Sequence, residues 1–394
     1  MSGGRYCSRR RAAQGLSLVE LMIALLIGTI LMLGLVQIFA ASKVAYRLSE
    51  GVARTQENGR FALDFLQRDI RMAGHFGCKS DETLFLEQAK GASGVFENTL
   101  DVSNAASDPA HYAADFSVSI QGYEATDTAP GKPVALTTIP ATGGTAYNPA
   151  LPGAITGVLD NRVNGSDILV LRYLAPEGAF ASAPSGNAFP LVTDAASWER
   201  LREGIENPGL FGITNCNSVS IFQASAASST EVTANKALTN VYAKGALLYR
   251  AESEIYYVGL NTANIPSLYR LRYSSVPGAA AGSYVKEELV EGVANMQLLY
   301  GQDRVAAAAS APSGIIDSRY TAETLGTDAD AWRRVGSVQV GLLLVSPNRS
   351  SAAAPVAANA ALVAQGVTFT PPSDGNYRNV YQSTIALRNR LFGN

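Results

Sequence analysis

Histidine occurs twice in 394 residues, tryptophan twice and cysteine three times. So few histidines restrict the chemistry available. A Ser-His-Asp site would have to use His75 or His111, and no supporting motif surrounds either. His75 reads as structural and His111 as a loop residue. Zinc is excluded by the lack of any paired Cys/His spacing. No Walker loop, no glycine-rich dinucleotide turn after a strand and no HExxH is present. Asp328-Ala329-Asp330 supplies two carboxylates without the rest of a calcium loop. No catalytic residue, no metal ligand and no cofactor is therefore expected, and the chain is not read as an enzyme.

Charge is sparse as well. Charged residues make up 16% of the chain and the formal net charge is −2, while 47% of residues are hydrophobic. That balance describes a folded protein with a sizeable core and argues against nucleic acid as a partner. The length suits one large or two modest domains. The 36 glycines and 17 tyrosines, among many alanines and serines, suit a β-rich domain with long loops.

Long apolar runs are absent except for one. It follows a basic leader holding Arg5, Arg9, Arg10 and Arg11, runs from Gly15 to about Ala41, and contains a single charge, Glu20. The 26 residues of 16–41 would form a helix of roughly 39 Å, enough to cross a hydrocarbon core of about 30 Å. The leader arginines favour the cytoplasmic side, which puts the remainder of the chain outside. A cleavable secretory signal would have a shorter core and a better cleavage site than Ala40-Ala41-Ser42. A plain signal anchor fits the length but gives Glu20 no role. An acid inside a membrane helix costs about 3 kcal/mol, so it snorkels or finds a partner. Of the cysteines, Cys7 lies in the leader. Cys78 and Cys216 form an even pair in an oxidising compartment, and read either as a disulfide or as two buried thiols.

Gly15 before an apolar residue, with Glu20 five positions on, resembles the processing site of type IV prepilins and pseudopilins. The resemblance implies cleavage by prepilin peptidase between Gly15 and Leu16 and N-methylation of Leu16. It also implies that Glu20 pairs with the N-terminal amine of a neighbouring subunit. A buried carboxylate needs a cation, and that amine supplies one in the same apolar layer. Leu16 stands where the family usually has Phe, a departure commoner in minor pilins. Proline is missing from the apolar segment; many major pilins have one where this chain has Gln37. Losing the leader's four arginines leaves 27 basic against 33 acidic residues, a net −6.

Beyond Ser42, apolar residues recur at three- and four-residue steps (Val44, Leu48, Val52, then Phe61, Phe65, Leu66, Ile70, Ala73), with charges between them. The pattern predicts an amphipathic continuation of the same helix. Leu16 to Ala73 would reach roughly 87 Å. Gly51 and Gly59 weaken it by about 1 kcal/mol each and invite a bend, while Gly74 and Gly77 end it. Strands are expected at Phe116–Ile120, Pro133–Leu136, Asp167–Tyr173, Ser218–Gln223, Ala246–Gly259, Ser267–Tyr273, Val335–Val345 and Tyr377–Leu387. Ala195–Glu203 is expected as a helix. Leu289–Gly301 is expected to begin as a turn and end as a strand. Glu82–Gly165 reads as mostly loop with short strands, and the Ala/Ser-rich stretches Ala306–Ala311 and Ser350–Ala364 as loops. Tyr249, Tyr256, Tyr257, Tyr269 and Tyr273 could face a partner, although packing within the sheet accounts for them.

Leu289-Val290-Glu291-Gly292-Val293-Ala294-Asn295-Met296-Gln297-Leu298-Leu299-Tyr300-Gly301 resembles a block of PilW-type minor pilins. So do Asp69–Gly74 with Phe76-Gly77-Cys78, the strand from Ser166 to Arg172, and Thr384–Arg390. This resemblance implies an α+β, pilin-like fold: a long N-terminal α-helix packed on a large, mostly antiparallel β head with long loops. The expected division is 1–15 leader, 16–41 transmembrane and filament-core helix, 42–77 amphipathic continuation, and 78–394 periplasmic β-rich head. The implied role is a non-catalytic subunit that helps prime a type IV pilus and sits near its tip. Such a pilus serves adhesion and twitching motility. Implied partners are other minor pilins, the major pilin, a tip adhesin, prepilin peptidase and the inner membrane. Two alternatives remain: a minor pseudopilin of type II secretion, and a membrane-anchored periplasmic binding protein or enzyme.

Overall fold

The apolar run and the amphipathic stripe after it form one helix, α1 (Leu18–Met72), which spans about 83 Å. The computed structural model describes residues 17–89, 91–182, 184–191, 195–303, 313–349 and 361–390. Ser17 caps the helix start, its hydroxyl accepting the Glu20 N–H at 3.1 Å. Gly74 and Gly77 follow the helix end with φ of 77° and 87°, a conformation that glycine adopts without penalty.

The head contains α2 (Asp81–Ala89), β1 (Phe96–Asn98), α3 (Pro109–Ala113), β2 (Ile120–Ala125), β3 (Pro133–Ala135), β4 (Tyr147–Asn148), α4 (Gly153–Thr156) and β5 (Ile168–Phe180). Next come β6 (Ala188–Pro190), α5 (Ala195–Arg202), β7 (Leu210–Thr214), β8 (Val219–Ala227), β9 (Glu231–Ala234), β10 (Leu247–Leu260), β11 (Pro266–Ser274) and β12 (Ser283–Glu291). The last are β13 (Val293–Gln302), β14 (Ser318–Tyr320), α6 (Ala322–Leu325), α7 (Ala329–Arg333), β15 (Val335–Arg349), β16 (Leu362–Ala364), β17 (Val367–Thr370) and β18 (Asn376–Ala386).

The described residues form three sheets. The largest follows the path β4-β2-β5-β10-β7-β8-β9-β6, with β1 beside β8 and the β11–β12 hairpin beside β10. The second is β14-β13-β15-β18 and the third β16-β17-β3. Among the described residues only β1–β8 and β17–β3 run parallel. This is an α+β fold with a long N-terminal helix and a mostly antiparallel head. The small third sheet packs on Leu343 and Val345 of β15. Ala62, Leu66 and Ile70 of α1 join Val338, Val340, Leu342 and Leu344 in the main core. Full burial of Leu66 and Ile70 contributes about 1.5–3 kcal/mol each.

Where sequence and structure differ, the cause is local. The strand expected at Phe116–Ile120 begins at Ile120; Phe116 is fully buried, but in a turn whose Asp115 accepts the Ser117 N–H. Within the expected loop after Glu82 lies α2, capped by the Ser80 hydroxyl on the Thr83 N–H. His111, expected in a loop, lies in α3, which Asp108 caps. Leu289–Glu291 ends a strand rather than opening a turn, and the turn is Gly292, with φ of 81°. Part of Ser350–Ala364 is strand β16, while Ala306–Ala311 and 350–360 lie outside the described residues. The helix continues through Gly51 and Gly59. A Cβ on Gly59 would stand 2.8 Å from the Tyr381 ring, so this glycine permits close approach of α1 to β18.

Candidate assembly surface and its anchorage

From Leu18 to Ser49 no residue of α1 is buried, and Gly51 is the first that the head covers. Leu18 is 75% exposed and Phe39 71%. Among the described residues this is one helix long and apolar enough to cross a membrane, with a mean hydropathy of 2.5. A face this greasy requires lipid or other helices around it. Glu20 lies in its first turn, exposed. Gly15 and Leu16 lie outside the described residues.

The other end of α1 is tied to the head by buried polar groups. Asn58 donates to the Glu291 carbonyl at 2.9 Å and Gln67 to the Ser383 hydroxyl at 2.9 Å. Asp69, 4% exposed, accepts from the Tyr256 hydroxyl and pairs with Arg270 at 3.3 Å. Arg270 also reaches Glu254 at 3.3 Å and Glu287 at 2.8 Å. Burial, then the charge of Asp69, pushes the Glu254 carboxyl well above the usual range. Asp69, Glu254 and Arg270 line a cavity of about 190 Å³ with Arg68, Glu203, Arg250 and Glu252. Such a cluster fixes orientation more than it adds stability, because desolvation offsets much of the attraction.

Three further ties hold the segment after the helix. Cys78 and Cys216 form a disulfide with Cα atoms 4.9 Å apart, closing a separation of 138 residues. His75 Nδ1 lies 2.8 Å from the Leu174 carbonyl, and burial lowers the imidazole pKa. Asp81, at the start of α2, pairs with Arg390 beyond β18, with Nε to Oδ1 at 2.9 Å, and both side chains are almost wholly buried. Sequence reading missed the Asp69–Arg270 and Asp81–Arg390 pairs. A buried Asp within the helix stripe was the signal for the first; nothing local marked the second.

Asp167 joins the two large sheets. Its carboxylate accepts the Ala125 N–H at 3.0 Å and the Leu298 N–H at 2.8 Å. Glu124, also buried, is pushed up to about 9 by burial and by the Asp167 charge, and burial pushes Asp167 up to about 7.

The remaining candidates are structural here. His111 lies 3.6 Å from Asp101 and accepts the Asn104 N–H. Asp328 caps α7 while Asp330 pairs with Arg333 at 2.7 Å. The five tyrosines of β10 and β11 are buried. Among the described residues no group of three or more His, Cys, Asp or Glu could hold a metal ion.

Comparison with known proteins gives two matches. Residues 255–389 match the family model described as Type IV Pilus-assembly protein W (PilW). Residues 10–36, which include Gly15, Leu16 and Glu20, match the model described as Prokaryotic N-terminal methylation motif. No curated protein and no solved structure matches the chain.

Proposed function

The chain carries a PilW domain and an N-terminal methylation motif, the pattern of a PilW-type pilin, and from that premise we propose that it is a minor subunit of a type IV pilus. It is cut by prepilin peptidase between Gly15 and Leu16, and Leu16 is methylated. Residues 16–41 then hold it in the inner membrane, with 42–77 continuing the helix and 78–394 forming a periplasmic head. On assembly the bare helix trades lipid for neighbouring pilin helices. Glu20 takes the N-terminal amine of another protomer, which sets axial register. The subunit helps prime the filament and stays near its tip, touching other minor pilins, the major pilin or a tip adhesin. It performs no catalysis of its own.

The observation that supports this most is the uncovered apolar rod ending in one acid: Leu18–Ser49 stand clear of the head. Among the described residues the Glu20 carboxylate has no ion pair, and a neighbouring subunit would supply one. The same processing would serve a pseudopilin of type II secretion, and a signal-anchored periplasmic binding protein or enzyme would share the span. The PilW match over residues 255–389 favours the pilus. Two substitutions test the proposal in cells that make pili. Gly15→Ala should leave unprocessed precursor, seen as a larger band; normal processing would refute the site. Glu20→Val should cut incorporation into sheared pili while the head stays folded; unchanged incorporation would refute the register role.

A further inference from the structure

Once the leader is gone, the cations flanking the apolar span stand on its outer side only. Between Gly15 and Arg54 the chain has two basic residues, Lys43 and Arg47. Both are exposed, as is Tyr46 at 70%. At about 100° per residue the three fall on one face of α1 roughly 100° wide. Neither cation makes an ion pair among the described residues; the neighbouring charges Glu50 and Arg54 pair with each other at 3.0 Å.

Depth along the helix is the second observation. At 1.5 Å per residue Lys43 stands about 3 Å and Arg47 about 9 Å beyond Ala41, the end of the apolar run. The polar headgroup layer of one leaflet is roughly 5–8 Å thick. The first buried residue of the helix is Gly51, about 15 Å beyond Ala41, and Lys43, Tyr46 and Arg47 are exposed before it. Tyrosine favours that layer for its apolar ring and polar tip, and long basic side chains reach phosphate from it.

We propose that Lys43, Tyr46 and Arg47 form a collar that binds anionic phospholipid headgroups at the outer face of the inner membrane, holding the unassembled subunit at fixed depth. The inference rests on the reading of 16–41 as a membrane span. It gives the lipid two phosphate contacts that must be broken when the subunit is drawn into a filament.

The test uses the full chain in phosphatidylcholine vesicles containing trace spin-labelled phosphatidylglycerol or spin-labelled phosphatidylcholine. Electron paramagnetic resonance reports the motionally restricted fraction of each label. Basic side chains at headgroup level attract anionic lipid, so the chain should restrict the anionic label several-fold more strongly than the neutral one. Lys43→Gln with Arg47→Gln should lower that ratio several-fold with the head still folded. Arg9→Gln with Arg10→Gln and Arg11→Gln, in the leader, should leave the share due to the collar in place. Undiminished selectivity in the Lys43/Arg47 variant would overturn the collar while leaving the span intact. Failure to restrict either label would instead contradict the membrane span itself.

Discussion

Two stretches of the head use similar residues differently. From Ile255 to Asn389 most of the chain is in long strands: β11, β12, β13, β15 and β18 have 9, 9, 10, 15 and 11 residues, beside short β14, β16 and β17 with 3, 3 and 4. From Ser80 to Glu254, β1, β3, β4 and β6 have 3, 3, 2 and 3 residues, beside β8 with 9, and the long pairing among the described residues is that of β5 with the first part of β10. The second sheet, wholly within the later stretch, takes the packing of α1, chiefly on β15 and β18. The PilW match covers the later stretch and stops short of the earlier one. A surface that must fit a helix is tightly constrained; one that faces outward is free to vary in loop and turn. The later stretch therefore supplies most of the cradle of the rod, through β15 and β18.

Individual ties within the head, and between the head and α1, can be cut one at a time. Arg390→Met leaves buried Asp81 without its cation and should destabilise the head by about 3–5 kcal/mol in denaturant titration. A loss below about 1 kcal/mol would mean that the clasp is dispensable. Removing the Cys78–Cys216 bond by Cys216→Ser should cost about 2–4 kcal/mol, read the same way. Peptide mapping without reductant should find the two joined, and free thiols in periplasmic material would refute the bond. Gly59→Leu drives a side chain into Tyr381 and should cost about 1–3 kcal/mol, loosening α1 from β18 first. Protection of the β18 amides from hydrogen exchange should fall before that of β5.

The smallest effect concerns pH. Both Glu124 and Asp167 have raised pKa values in the folded head, about 9 and about 7. Their contribution is fully present below the unfolded carboxyl range near 4–4.5 and is lost as pH rises through 7 to 9. Stability, and with it the melting temperature, should therefore fall from pH 6 to pH 8. Glu124→Gln should flatten that fall. A variant with the same slope as the parent would show that Glu124 is already ionised.

Legibility in the sequence follows the same division. The apolar run, the stripe after it, and β10, β11, β15 and β18 could be read because burial imposes a period or an unbroken apolar run. Strand β12 was largely missed: it is an edge, bearing Lys286, Glu287 and Glu288, and charge on an edge strand hides its pattern while guarding against aggregation. The motif proposed to direct processing of the rod is contiguous, so Gly15, Leu16 and Glu20 are legible together within the matched residues 10–36. The anchorage is not, since Asp69 finds Arg270 201 positions away and Asp81 finds Arg390 309 away. Local periodicity says nothing about such pairings.

Everything proposed about assembly depends on how the rod begins. Intact mass and N-terminal peptide sequencing of the chain recovered from cell envelopes and sheared pili decide that directly. A chain starting at Leu16 with one added methyl group is the expected product. A chain that keeps Arg9, Arg10 and Arg11, or that starts after Ala41, would contradict it.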